Sequence, residues 1–150
     1  MLADATVYMN TLELMEPETQ RTHGNDVIEL PFGLLGFESV KNYVLLTRPK
    51  EEPFMWFQML DDAKRAFLVV PPQFVVPDYQ PDISEEDVDF LGLTDPTDAF
   101  VLNIVTLRKG RQATVNLKGP IVIHRRTLVG KQVIPVNAAQ YAIQHPLPAS

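Results

Sequence analysis

The fold is decided by residues 100–134, FVLNIVTLRKGRQATVNLKGPIVIHRRTLVGKQVI. Within this stretch, runs of aliphatic and β-branched residues of strand length alternate with short turns that contain glycine or proline. Pro120 stands where the third run begins, and a strand tolerates proline at its first position. We predict four consecutive strands that form the core of an antiparallel sheet.

The first two of these runs differ in how their side chains are distributed. Phe100–Leu107 is apolar on both faces except at Asn103 and Thr106, which predicts a central strand covered on both sides. Gln112–Leu117 alternates, which predicts one face on the core and one in water. The predicted core face of this second strand is made of Ala113, Val115 and Leu117.

Composition bounds the class of protein. With 150 residues, 45% of them hydrophobic and 21% charged, the chain is expected to form one globular domain spanning residues 1–150. It contains no cysteine, which excludes disulfides and thiolate chemistry and fits a cytoplasmic location. The N-terminus shows no signal-peptide pattern, and no apolar run approaches the roughly 20 residues of a membrane helix. We expect no contact with a membrane.

Charge is distributed unevenly along the chain, although the net charge is only −6. Residues 1–98 hold all 19 acidic residues and 6 basic ones, whereas residues 99–150 hold 7 basic residues and no acidic one. Such asymmetry can indicate a half that binds polyanions. The favoured interpretation is that the two halves interleave in one fold, so that their charges lie side by side.

One short acidic helix is predicted within residues 82–91, DISEEDVDFL. Ser84 can cap it, acidic residues fill its first turn, and Gly92 ends it. Thirteen prolines argue against longer helices, and Thr6–Leu14 is expected to form an edge strand. The predicted fold is therefore mostly β, a small antiparallel β-barrel or strongly bent sheet with one short acidic helix.

Two apolar segments are interpreted as structural. In LPFGLLGFE (Leu30–Glu38), Gly33 and Gly36 are expected to turn the chain while the residues between and beside them fill the core: Phe32, Leu34, Leu35 and Phe37. FMWFQML (Phe54–Leu60) could offer aromatic rings for base stacking, but six apolar residues in seven favour a buried strand. The following Asp61-Asp62 pair is interpreted as a hairpin turn.

The sequence gives little support for catalysis, a metal site or a cofactor site. The three histidines, His23, His124 and His145, show no metal-ligand spacing, and His124 is interpreted as part of the polar face of its strand. Neither a nucleophile elbow nor a dinucleotide fingerprint is present. We therefore expect a binding protein without a cofactor, and no enzyme.

Several blocks of the chain resemble, in collinear order, those of the flagellar assembly factor FliW family. They are LPFGLLGFE (Leu30–Glu38), FQMLDDAKRAFLVVPPQF (Phe57–Phe74) with Pro77-Asp78-Tyr79, LGLTDP (Leu91–Pro96), NLKGPIVI (Asn116–Ile123), GKQVI (Gly130–Ile134), and Tyr141 with HPL (His145–Leu147). Family members often have asparagine where His124-Arg125 stands here, so the surface at this point is expected to differ.

The resemblance implies a cytoplasmic protein with two protein partners and no cofactor. One partner is flagellin, which is held before export. The other is CsrA, an RNA-binding translational repressor that free FliW captures, so that flagellin synthesis is coupled to export.

The resemblance does not place these interfaces. From charge we expect the basic partner CsrA to contact the acidic segment, at Asp78, Asp82, Glu85, Glu86, Asp87 and Asp89. The proline-rich edge Pro71–Tyr79, with Phe74 and Tyr79, is the next candidate. An alternative function is a nucleic-acid-binding β-barrel module that would use Arg108, Lys109, Arg111, Lys118, Arg125, Arg126 and Lys131. The negative net charge and the lack of an RNA-binding signature argue against it.

Overall fold

The structure is a computed structural model that describes residues 20–21 and 26–147. The predicted edge strand Thr6–Leu14 and His23 lie outside these residues. Ten short strands make up the described sheet. They are β1 (Gln20–Arg21), β2 (Ile28–Glu29), β3 (Asn42–Thr47), β4 (Met55–Met59), β5 (Ala66–Val70), β6 (Ala99–Thr106), β7 (Thr114–Val115), β8 (Ile121–His124), β9 (Gly130–Gln132) and β10 (His145–Pro146).

Every pairing between these strands is antiparallel. β1 and β2 both pair with β3, and the ladder then runs through β4 and β5 to β6. Beyond β6 it divides, because β6 pairs with β7 near one end and with β8 near the other. β10 extends the β7 branch and β9 extends the β8 branch. The prediction that residues 100–134 supply the centre of an antiparallel sheet is confirmed.

The division beside β6 comes from extra residues in its partner. Leu102 of β6 pairs with Ile121, and Val105 of β6 pairs with Val115. Three steps along β6 therefore lie opposite six steps along the partner chain. Three residues are therefore looped out around NLKGP, which is why β7 is shorter than the predicted strand Gln112–Leu117. The Asn116 side chain closes this loop by accepting hydrogen bonds from the N–H groups of Lys118 and Gly119.

The central strands are buried on both faces. Along β3, Tyr43 and Leu45 belong to one core and Val44 and Leu46 to another, since successive strand residues point to opposite faces. In the first core the rings of Tyr43 and Phe57 stack with centroids 4.5 Å apart. FMWFQML is thus a buried strand, as predicted, and its rings are not a stacking platform.

The acidic helix, α1 (Glu85–Leu91), covers the outer side of β8. Ser84 caps it by accepting a hydrogen bond from the Asp87 N–H, and Gly92 ends it in the left-handed conformation at φ 68°. Leu91 packs with Val122 and Val133 in a third, smaller core. Both boundaries of the helix agree with the prediction, because the cap and the terminating glycine are local signals.

The two ends of the ladder approach each other at one point. The Glu29 N–H donates to the Leu128 carbonyl at 2.9 Å, and Glu29 forms an isolated parallel bridge with Val129. No continuous ladder closes the sheet among the described residues. For the described residues, the prediction of a mostly antiparallel β fold with one short acidic helix is confirmed.

Candidate protein-binding surface

Most of the predicted acidic contact residues face solvent. They occupy α1 and the extended chain that leads to it, and the exposed ones are Asp78, Asp82, Glu85, Glu86 and Asp89. This segment is held to the rest of the fold by backbone bonds, since the Val136 N–H donates to the Asp82 carbonyl at 2.7 Å. The Asp82 N–H in turn donates to the Asn137 side chain at 2.8 Å. The exposed carboxylates are therefore displayed on an ordered support.

Asp87 differs from its acidic neighbours. It is buried, and its carboxylate binds the Lys131 ammonium in a short ion pair. Asp87 lies on the side of α1 that faces the sheet, where it meets Lys131 of β9. Asp87 therefore anchors the helix and is poorly placed to meet a partner directly.

Tyr79 is likewise part of the structure and is not exposed. Its hydroxyl donates to the Leu117 carbonyl at 2.7 Å, and its ring lies edge-on to Tyr141 with centroids 4.7 Å apart. Burial raises the pKa of Tyr79 to about 12. The residue thus fastens the proline-rich segment to the loop around NLKGP. Phe74, in the same segment, is 59% exposed beside an apolar groove that also includes Phe54.

The prediction that Phe32 fills the core is wrong. Phe32 was expected to fill the core, but it is 55% exposed and contacts the ring of Phe90, which is 41% exposed on α1. Leu35, also expected inside, is 62% exposed. The reason is that Gly33 and Gly36, at φ 66° and 89°, turn the loop so that only Leu34 is fully buried and Phe37 partly so.

A cleft of about 380 Å³ lies next to Phe32. Three of the blocks that carry the family resemblance meet in it: LPFGLLGFE, NLKGP and GKQVI. Gln132 joins them, because its side-chain oxygen accepts from the Leu35 N–H at 2.8 Å and its amide donates to the Gly119 carbonyl at 3.1 Å. Distant blocks of sequence therefore build one mainly apolar depression.

Most basic residues of the C-terminal half make contacts within the protein. Lys131 and Arg126 pair with carboxylates from the acidic half, Asp87 and Asp98. Lys118 donates to a backbone carbonyl, and Arg125 lies over the ring of Phe100. These contacts confirm that the two halves interleave, and they weigh against a basic face for nucleic acid.

His124 is buried at the end of β8, so the prediction that it belongs to a polar strand face is wrong. Its Nδ1 accepts hydrogen bonds from the N–H groups of Arg126 and Thr127, at 3.1 and 3.4 Å, and so caps the following turn.

Neither a metal-ligand cluster nor a membrane-spanning helix is found in the part of the chain that the structure describes. Within residues 20–21 and 26–147, no three His, Asp or Glu residues are grouped so that they could hold a metal ion. None of the described helices has the length and apolar character needed to cross a membrane.

Comparison with known proteins identifies the family. The model of the FliW protein family matches residues 11–147. The flagellar assembly factor FliW of Syntrophus aciditrophicus is 38% identical over 111 residues, covering 73% of this chain and 70% of that protein. That of Clostridium botulinum is 34% identical over 132 residues, covering 83% and 92%.

A solved structure shows the same fold. The crystal structure of a flagellar assembly factor FliW superposes with a TM-score of 0.74 at 29% identity, and the match covers 83% of this chain and 86% of that one. Together with the family match over residues 11–147, this shows that the chain belongs to the FliW family of flagellar assembly factors.

Proposed function

We propose that this protein is a cytoplasmic partner switch that couples flagellin synthesis to flagellin export. It holds flagellin before export and, when free, it captures and antagonises the RNA-binding translational repressor CsrA. Its action is binding and not catalysis, and it needs no cofactor. Membership of the FliW family supports the role in flagellar assembly.

The switch operates by mass action. Each partner that binds the protein lowers the amount of free protein available to the other, so accumulating flagellin releases CsrA. Export of flagellin then frees the protein to capture CsrA again, and translation of flagellin resumes.

The observation that supports CsrA as a partner is the exposed acidic segment. Asp82, Glu85, Glu86 and Asp89 project into solvent from α1 and its approach. A repressor that binds RNA must present Lys and Arg side chains to phosphates. Opposite charges on the two proteins accelerate their encounter, and this acceleration weakens as salt screens it.

The experiment compares two variants that remove the same amount of charge. The test variant carries Glu85→Gln, Glu86→Gln and Asp89→Asn and leaves the buried Asp87 intact. The control variant carries Asp26→Asn, Glu52→Gln and Asp61→Asn, three exposed residues elsewhere on the chain. Association with CsrA and with flagellin is followed at low and at high salt.

We expect the test variant to associate with CsrA several-fold more slowly at low salt and almost normally at high salt. The control variant should associate with CsrA at nearly the rate of the parent chain. Both variants should bind flagellin as the parent chain does. Equal slowing by the two variants would show that only net charge matters. Failure of the unaltered protein to bind either partner would overturn the proposed function.

A further inference from the structure

Phe32 and Phe90 form an exposed aromatic pair above a buried charge. Their ring centroids are 5.1 Å apart and their planes are inclined by 47°. The Lys131 ammonium lies 5.3 Å from the centroid of Phe32 and 5.9 Å from that of Phe90. We call these three residues the aromatic clasp. It joins the LPFGLLGFE loop to the acidic helix.

The clasp does not offer its positive charge to a ligand. The ammonium of Lys131 is bound by the buried carboxylate of Asp87, so its charge is neutralised within the protein. The Lys131 side chain is itself only 25% exposed. What remains accessible is ring surface on Phe32 and Phe90, held in place by a cation–π contact and an ion pair. The surface that the clasp presents to solvent is therefore apolar.

Acidic side chains border this apolar feature. Glu86 lies one helical turn before Phe90, so the two side chains share a face of α1, and Asp89 adjoins Phe90 along the chain. Further apolar surface lies at Val136, which is 69% exposed and hydrogen-bonded to the backbone of Asp82. Ring surface and negative charge thus lie next to each other on α1.

We propose that the aromatic clasp and its acidic border are the docking surface for the basic protein partner, an inference that rests on the proposed function. The partner segment that fits has aliphatic side chains next to Lys or Arg. Its aliphatic groups pack on Phe32 and Phe90, while its cations face Glu86 and Asp89. Charge complementarity selects this partner over an acidic one.

The two components of the surface control different rates. Exposed carboxylates at the border act at a distance and accelerate encounter, so they determine mainly the association rate. Aromatic anchors that become desolvated in the complex determine mainly how long it survives. The clasp is preorganised by Lys131, so little ordering of the rings is required when the partner binds.

The test measures association and dissociation of CsrA for Phe32→Ala, Phe90→Ala and, as a probe of the competing proline-rich edge, Phe74→Ala. Phe74 is as exposed as Phe32 but lies on the proline-rich edge. We expect each clasp variant to dissociate about tenfold faster with an almost unchanged association rate, and Phe74→Ala to behave as the parent chain. Thermal unfolding confirms that the variants are folded.

The outcomes of this test distinguish the proposed docking surface from the proline-rich edge and from a failure of the proposed function. Unchanged dissociation for both clasp variants would overturn the inference, and faster dissociation for Phe74→Ala alone would move the docking surface to the proline-rich edge. If Phe90→Ala fails to fold, Phe32→Ala, on a loop outside the helix, still decides the result. Absence of CsrA binding by the parent chain would instead be a failure of the proposed function.

Discussion

Two aromatic pairs in this molecule have similar separations and opposite roles. The rings of Tyr79 and Tyr141 lie 4.7 Å apart, and those of Phe32 and Phe90 lie 5.1 Å apart. The tyrosines fasten the proline-rich segment, with Tyr79 only 9% exposed. The phenylalanines connect a loop to a helix while large parts of both rings remain in water.

The difference lies in the polar atoms. Each tyrosine hydroxyl finds a backbone carbonyl, Leu117 for Tyr79 and Gln80 for Tyr141, so the tyrosine pair has its hydrogen bonds satisfied within the fold. The phenylalanines have no such group, and their exposed area is stabilised only if something covers it. An aromatic residue in a family motif can therefore serve the fold or a partner, and its environment decides which.

The largest effect on stability is expected from Gly33→Ala, in the loop that displays Phe32. At φ 66°, a Cβ on Gly33 would lie 2.6 Å from the Cα of Glu38 and from the carbonyl oxygen of Phe37. The left-handed conformation and the backbone clash together should cost roughly 3 kcal/mol of unfolding free energy. Chemical denaturation measures this cost.

Gly92→Ala is the matched control for this substitution. Gly92 has a similar φ of 68°, but no atom beyond its chain neighbours lies within 4 Å of the position that a Cβ would take. It should cost only about 1 kcal/mol. Equal costs at Gly33 and Gly92 would show that the close approach of the loop backbone is not important.

A smaller effect is expected when the ion pair beneath the phenylalanines is broken. Asp87→Asn removes the buried carboxylate and leaves Lys131 between two rings without its counter-charge, at a cost of roughly 2 kcal/mol. Lys131→Met should cost a similar amount, and the double variant less than the sum, since the two residues act as a pair.

Glu86→Gln is the control for the ion pair, because Glu86 is exposed on the same helix. It should change the free energy of unfolding by less than about 0.5 kcal/mol. Strict additivity of Asp87→Asn and Lys131→Met in a double-mutant cycle would contradict a direct interaction between them.

Of the three contacts, the glycine loop, the ion pair and the tyrosine pair, the tyrosine pair should give the smallest change at neutral pH. Tyr79→Phe removes the hydrogen bond to Leu117 and should cost about 1 kcal/mol, with no effect on CsrA dissociation. If the dissociation rate of CsrA rises in Tyr79→Phe while the protein stays folded, the tyrosines are more than structural.

Alkaline titration gives a second measure of Tyr79. Burial raises its pKa from the ordinary 10.0 to about 12, so the folded state retains a proton that the unfolded state releases. Its contribution to stability is complete below pH 10 and is lost as the pH rises towards 12. The decline of stability over this range should be shallower in Tyr79→Phe than in the parent chain.

Local signals made the strands and the helix predictable. Ser84, the acidic first turn and Gly92 define α1, and the glycine and proline turns define the strands after Phe100. The register of β7 was not predictable, because the three looped-out residues depend on Asn116 closing a turn beside β6. That is a tertiary arrangement that periodicity does not encode.

The candidate surface was predictable only in part. Charge density correctly indicated that most of the acidic segment faces solvent, but the pairing of Asp87 with Lys131 joins residues 44 positions apart. Likewise, apolar character predicted burial for Phe32, while the loop glycines direct it outwards. The sequence signal was the presence of Gly33 and Gly36, because a loop turned by two glycines does not bury all of its apolar side chains.

Hydrogen–deuterium exchange of the protein with and without CsrA tests the central claim most directly, because it maps the contact on the unaltered chain. The account predicts slower exchange on binding in peptides that cover residues 30–38 and 84–93, and unchanged exchange in residues 69–80 around Tyr79. Protection confined to residues 69–80, or to the basic turn at residues 108–111, would contradict it.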